Sequence, residues 1–131
     1  MGKIRVLLAD DNDAVVERVR AILGAGCEIV GVVCNGLDAV AETRRLDPDV
    51  LIIDISMPVL DGLESTRRLR MTNRRTKIVF LTVHRDHDFV TAALSAGASA
   101  YVTKSDVTTD LMPAIHDALD GRIFVSQTAQ K

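Results

Sequence analysis

The chain has 131 residues, 47% hydrophobic and 26% charged, with 18 acidic against 16 basic side chains and a formal net charge of −2. That length suits one domain burying roughly two thirds of its unfolded surface, and that composition excludes intrinsic disorder. No apolar run reaches the roughly 18 residues of a spanning helix, charges interrupt Met1-Gly2-Lys3-Ile4-Arg5 where a signal peptide would be apolar, and the balanced charge nominates neither a polyanion nor a membrane as partner.

A cytoplasmic protein is therefore expected. Strand and helix signals then alternate along the chain. Ile4 to Ala9 is a continuous apolar run of strand length, ending at Asp10-Asp11. Helical spacing follows over 12–23, with Val15, Val16, Val19, Ile22 and Leu23 on one side and Glu17, Arg18 and Arg20 on the other. A second strand is predicted over 29–34, and Asn35-Gly36 turns into a helix that Asp47-Pro48 stops near Leu46. The third strand is predicted over 50–54, and a loop with Pro58 leads to Asp61, an N-cap for a helix reaching about Thr72. A fourth strand over 78–81 and a helix over 86–96 stopped by Gly97 come next. The fifth strand covers 100–103, and a last helix over 110–120 would carry Pro113 in its first turn and place Leu111, Ile115, Ala118 and Leu119 inward. Cys27 and Cys34 flank the second strand without metal-ligand companions and read as reduced, packed thiols.

This (βα)5 alternation predicts an α/β fold: a three-layer αβα sandwich around a five-stranded parallel sheet of flavodoxin-like order 2-1-3-4-5. Eight units would be needed for a closed barrel. In such open sheets, ligands bind beyond the carboxyl ends of the strands, where strand order reverses. Asp10 and Asp11 end the first strand, Asp54 the third, Thr82 the fourth, and Lys104 follows the fifth. Three carboxylates at one edge repel one another unless a cation neutralises them. All-oxygen donors without nearby His or Cys suit Mg2+, with Mn2+ as the alternative. A lone carboxylate beside such an ion can attack phosphorus. Asp54, alone on the central strand, is the candidate nucleophile; Thr82 and Lys104 would stabilise the phosphoryl oxygens.

At these residues the chain resembles the receiver domain of bacterial response regulators. The matching segments are LLADDN (residues 7–12), LIIDISMPVLDGLE (51–64), IVFLT (78–82) and AGASAYVTKSD (96–106). The resemblance implies a CheY-like receiver over residues 1–121 and a tail or the start of a linker over 122–131. It further implies that Asp54 takes a phosphoryl group from a sensor histidine kinase or phosphotransfer protein. Asp10, Asp11, Asp54 and the Ser56 carbonyl would hold Mg2+, and Thr82 and Lys104 would contact the phosphoryl group. Thr82 and Tyr101 would form the switch, Ser56 and His84 would tune the lifetime of the phosphorylated state, and homodimerisation on phosphorylation is expected. Such a chain is a signalling phosphoacceptor that catalyses only its own phosphorylation and slow dephosphorylation.

The stretch around Leu81-Thr82-Val83-His84 and the Lys104-Ser105 pair are most similar to the NarL/FixJ subfamily of transcription factors with a LuxR-type helix-turn-helix. The expected partner is then a DNA-binding output domain outside this chain; a stand-alone phosphorelay receiver is the alternative. Ser105 stands where many receivers have a proline after the lysine, so a trans Lys104-Ser105 bond is favoured. Plainer roles remain open at this level: Asp10 and Asp11 as helix caps, Tyr101 as ordinary packing, and Arg67, Arg68, Arg70, Arg74, Arg75 and Lys77 as a solvated face rather than a nucleic-acid surface. An aspartyl-phosphate phosphatase is opposed by Ser56, which stands where a second acid would be needed. Flavin binding is opposed by the acidic pair in place of a phosphate cradle.

Overall fold

A computed structural model describes residues 2–130. Its strands are β1 (Ile4–Ala9), β2 (Cys27–Val33), β3 (Val50–Ile53), β4 (Lys77–Thr82), β5 (Ala100–Thr103) and β6 (Phe124–Val125). The helices are α1 (Asp13–Leu23), α2 (Gly36–Leu46), α3 (Gly62–Thr72), α4 (His87–Ala96) and α5 (Val107–Leu119). All strand pairs are parallel, in the order β2-β1-β3-β4-β5-β6. The predicted order 2-1-3-4-5 is therefore present, with one addition. The five-stranded expectation is corrected by β6, whose two residues are too few to give a periodic signal.

The strands are apolar throughout because helices cover both faces, and alternate residues serve alternate faces. Val6, Leu8, Val50, Ile52, Val79 and Leu81 pack against α1 and α5 through Val16, Val19, Leu111 and Ile115. Leu7, Leu51, Ile53, Ile78, Phe80 and Tyr101 form the opposite core with Ala39 and Val40 of α2, Leu69 of α3 and Val90 of α4. This division makes three layers. The strand ends that carry the polar residues meet along one edge, between the two helical layers.

Local chemistry sets the helix ends. The Asn12 side chain accepts from the backbone N–H groups of Ala14 and Val15, Asn35 accepts from Asp38, and Asp61 accepts from Glu64. Asn12, rather than Asp10 or Asp11, thus caps α1. Gly97 ends α4 in a left-handed conformation with φ of 112°.

The last helix differs from its predicted span. A 3₁₀ turn over Lys104–Asp106 winds directly into α5, which begins at Val107, so Pro113 lies inside the helix rather than in its first turn. Pro113 and Thr109, whose carbonyl loses its helical N–H partner, are both exposed, so the missing bond falls on the solvent side of the helix. Leu119, predicted inward, is 38% exposed. Cys27 is buried as expected, Cys34 is exposed, and both are free thiols.

Beyond α5 the chain folds back to lay β6 along β5. Val125 pairs with Tyr101, Ser126 N donates to the Tyr101 carbonyl at 2.9 Å, and a 3₁₀ turn over Gln127–Ala129 follows. The Gln130 side-chain amide donates to the outward-facing Val125 carbonyl at 2.6 Å. Among the described residues no helix is long and apolar enough to cross a membrane.

Candidate functional site

The backbone places two carboxylates side by side at the end of the sheet. Asp10 follows β1 and donates its N–H to the Val33 carbonyl of β2; Asp54 follows β3 and donates its N–H to the Ala9 carbonyl of β1. Both continue the parallel ladder, which fixes their separation and aims their side chains into the crevice where strand order reverses. Gly62, at the start of α3, permits the tight loop that follows. A Cβ there would lie 2.1 Å from the Asp54 carbonyl oxygen, so no larger residue fits without displacing the backbone beneath the acid.

Lys104 bridges the two acids. Its ammonium lies 2.8 Å from Asp54 Oδ2 and 3.0 Å from Asp10 Oδ2. The remaining oxygens are held by backbone N–H groups: Asn12 N donates to Asp10 Oδ1 at 2.9 Å and Ser56 N to Asp54 Oδ1 at 3.3 Å. Asp10 is 2% exposed and Asp54 5% exposed, so the charges sit in a medium that strengthens each of these bonds. Burial pushes the Asp10 pKa up, against the opposing pull of the Asn12 N–H and the Lys104 charge. Burial works to lower the Lys104 pKa, yet its bonds to Asp54 and Asp10 outweigh that and hold it above the ordinary lysine value. The lysine therefore stays charged.

Asp11 stands apart from this pair. It is exposed, and no three acidic, histidine or cysteine side chains converge into a metal-holding group among the described residues. The donor chemistry still fits a hard divalent cation: every candidate ligand is an oxygen, and three carboxylates against one ammonium leave two negative charges. A divalent ion would balance them.

Thr82 ends β4, fully buried, and its hydroxyl accepts from His84 N at 3.4 Å. Tyr101 of β5 is also fully buried. Its ring lies 6.3 Å from that of Phe80, and its hydroxyl donates to the His84 carbonyl at 2.8 Å. His84 in turn bonds Ser56 Oγ through Nε2 at 2.8 Å and stacks on Phe89 at 4.3 Å between ring centroids. Residues 56, 82, 84 and 101 are thus linked by hydrogen bonds, while Val83, next to Thr82, is 63% exposed. The Lys104-Ser105 bond is trans, since no cis peptide occurs among the described residues.

The structure brings Asp10, Asp54 and Lys104 into direct contact and sets Ser56, Thr82, His84 and Tyr101 around them. Sequence reasoning missed Asn12, which both caps α1 and supplies an N–H to Asp10; its place directly after the acidic pair was the available signal. It also missed Phe89, whose stacking on His84 depends on how the first turn of α4 meets the preceding loop. The basic stretch is largely engaged: Arg67 and Arg68 pair with Glu64, Arg75 pairs with Asp47 and Asp49, and Arg70 donates to the carbonyls of Gly97, Asn73 and Thr76.

Comparison with known proteins shows the family to which the chain belongs. The family described as response regulator receiver domain matches residues 6–116. The response regulator GacA of Pseudomonas viridiflava is 36% identical over 131 residues, covering 98% of this chain and 61% of the relative. UvrY of Escherichia coli (strain K12), also a response regulator, is 34% identical over 125 residues, 94% of this chain and 57% of its own length. Among solved structures, a LuxR-family two-component response regulator from Aurantimonas sp. SI85-9A1 superposes with a TM-score of 0.92 at 32% identity, covering 98% of this chain and 93% of that one. The chain spans about three fifths of the length of these sequence relatives.

Proposed function

The chain belongs to the response regulator receiver domain family, and on that premise we propose that Asp54 is its phosphoacceptor. The observation that carries the assignment is the Asp54 carboxylate itself, buried at the end of β3 with one oxygen on the Lys104 ammonium at 2.8 Å. An Asp54 oxygen attacks phosphorus, the bond from phosphorus to the donor's imidazole nitrogen breaks, and the donor histidine leaves with the electron pair. Donors of this class are a sensor histidine kinase or a phosphotransfer protein.

Asp10, Asp11, Asp54 and the Ser56 carbonyl would hold Mg2+, which supplies charge neutralisation at the incoming phosphoryl group. The chain's own residues do the rest. Lys104 already stands against Asp54 and meets one phosphoryl oxygen. The Thr82 hydroxyl, at the neighbouring strand end, donates to another. The Ser56–His84 pair, two residues beyond Asp54 and Thr82, controls water access and so sets how long the phosphoryl group persists. Tyr101, already inward and bonded to His84, is fixed there as Thr82 draws toward the phosphate and leaves space beside the ring. We assign the resulting change of state to the control of transcription through a DNA-binding output domain.

Incubation with acetyl phosphate and Mg2+ should add the mass of one phosphoryl group to the intact protein. Asp54→Asn should abolish the adduct, and Lys104→Ala should slow its formation by about 10²-fold or more, as for loss of a preorganised charge at the reacting oxygens. An unchanged adduct in Asp54→Asn would reject the assignment.

A further inference from the structure

The segment that folds back after α5 is bound more specifically than a passing tail requires. Its backbone pairs with β5 at Tyr101, and its side chains continue the match where the ladder stops. Ser126, 1% exposed, accepts from Thr103 N at 3.3 Å and donates to Asp110 Oδ2 at 2.7 Å. The hydroxyls of Thr128 and Thr103 lie 2.7 and 3.0 Å from Asp106 Oδ2. Ala129 is fully buried in the same core cluster as Tyr101 and Val90, with Val125 packed against it. The segment thus lies on the edge of β5 between α4 and α5, and seals the side of the sheet that carries Tyr101.

Tyr101 is held at both ends. Its hydroxyl donates to the His84 carbonyl, the His84 N–H donates to Thr82, and its own backbone carbonyl accepts from Ser126. One residue therefore ties the loop beside Asp54 to the folded-back strand. Withdrawing the ring would remove a wall of the pocket that holds Ala129 and Val125, and freeing the strand would expose the flank of the ring to water.

From this juxtaposition we propose that residues 123–130 are a docked regulatory strand whose hold on β5 is coupled, through Tyr101, to the occupancy of Asp54. The coupling rests on the phosphoacceptor reading and extends it to residues 123–130. Filling Asp54 draws Thr82 toward the phosphoryl group, fixes Tyr101 inward and tightens the strand. By thermodynamic reciprocity, loosening the strand weakens occupancy of Asp54 by the same factor.

Deuterium exchange of the full chain, with and without beryllofluoride and Mg2+, measures the first half of this cycle. Exchange over residues 123–130 should slow by about fivefold or more on adduct formation, the lower end of usual coupling strengths. Ser126→Ala and Thr128→Val, which leave the acids and Lys104 intact, should weaken beryllofluoride binding by a matching factor, read from tyrosine fluorescence. An adduct that forms at Asp54 without changing exchange in the strand, and binds both variants as tightly as the native chain, overturns the coupling and leaves the phosphoacceptor reading standing. Absence of any adduct at Asp54 overturns both.

Discussion

Tyr101 is the single tyrosine of a chain without tryptophan, so its absorbance and fluorescence report on one position only. Burial, followed by the nearby charges of Asp54 and Asp86, pushes its pKa up to about 12. A raised folded-state pKa means the folded chain keeps a proton that the unfolded chain has released. Its contribution to stability is whole below the ordinary tyrosine pKa of about 10 and is lost as pH rises toward about 12, amounting to about 2 to 3 kcal/mol. A tyrosinate absorbance titration should show a midpoint near 12 in the native protein and near 10 in denaturant, the ordinary value being about 10. A native midpoint at the ordinary value would mean that the ring is not held inward. Asp10, also neutral when protonated and anionic when not, shows the same sign of linkage. Burial raises its pKa, so the stability of its protonated form is in place at low pH and fades as pH rises through the elevated value.

At the scale of elements, Gly62 joins the helix cap to Asp54. Asp61 caps α3 while Gly62 lets the first turn of that helix rest on the Asp54 carbonyl. Gly62→Ala should cost about 1 to 3 kcal/mol in urea denaturation, the usual penalty for forcing atoms into a filled space, and should slow phosphorylation because Asp54 shifts with its backbone. An unchanged midpoint and rate would show that the contact is slack. Much of this architecture was readable beforehand, for particular reasons. Continuous apolar strands such as Ile4–Ala9 admit only a doubly covered sheet, and Asp61 announces a helix start. The start of α5 was hidden because Val107-Thr108-Thr109 is a β-branched run of modest helix propensity, which the preceding 3₁₀ turn nevertheless recruits. No local pattern marks β6, since its pairing is decided by what β5 offers.

For the molecule as a whole, a cation held at the proposed site would be linked to stability. A cation that binds only the folded state raises the melting temperature, by about 2.7 kcal/mol of stability at a hundred times its dissociation constant. Mg2+ should therefore stabilise the native chain, and Asp10→Asn should erase that response while raising the melting temperature measured in chelator. The chelator difference should close as the pH is lowered, because protonation of Asp10 imitates the variant. A Mg2+ response that survives in Asp10→Asn would remove this acid from the ligand set. The meeting of Asp10, Asp54 and Lys104 was legible because parallel strands bring their carboxyl ends together whatever lies between them. That Asp11 turns to solvent, and that His84 joins Ser56, Phe89 and Tyr101, depends on side-chain packing between loops and left no sequence signature. At the outer margin of the sheet, the side-chain amide of Gln130 occupies the Val125 carbonyl that would otherwise face solvent. With that acceptor engaged from within, one of the positions another strand would need is already taken, so concentrated solutions of this protein should show less strand-to-strand polymerisation along that side than a Gln130→Ala variant.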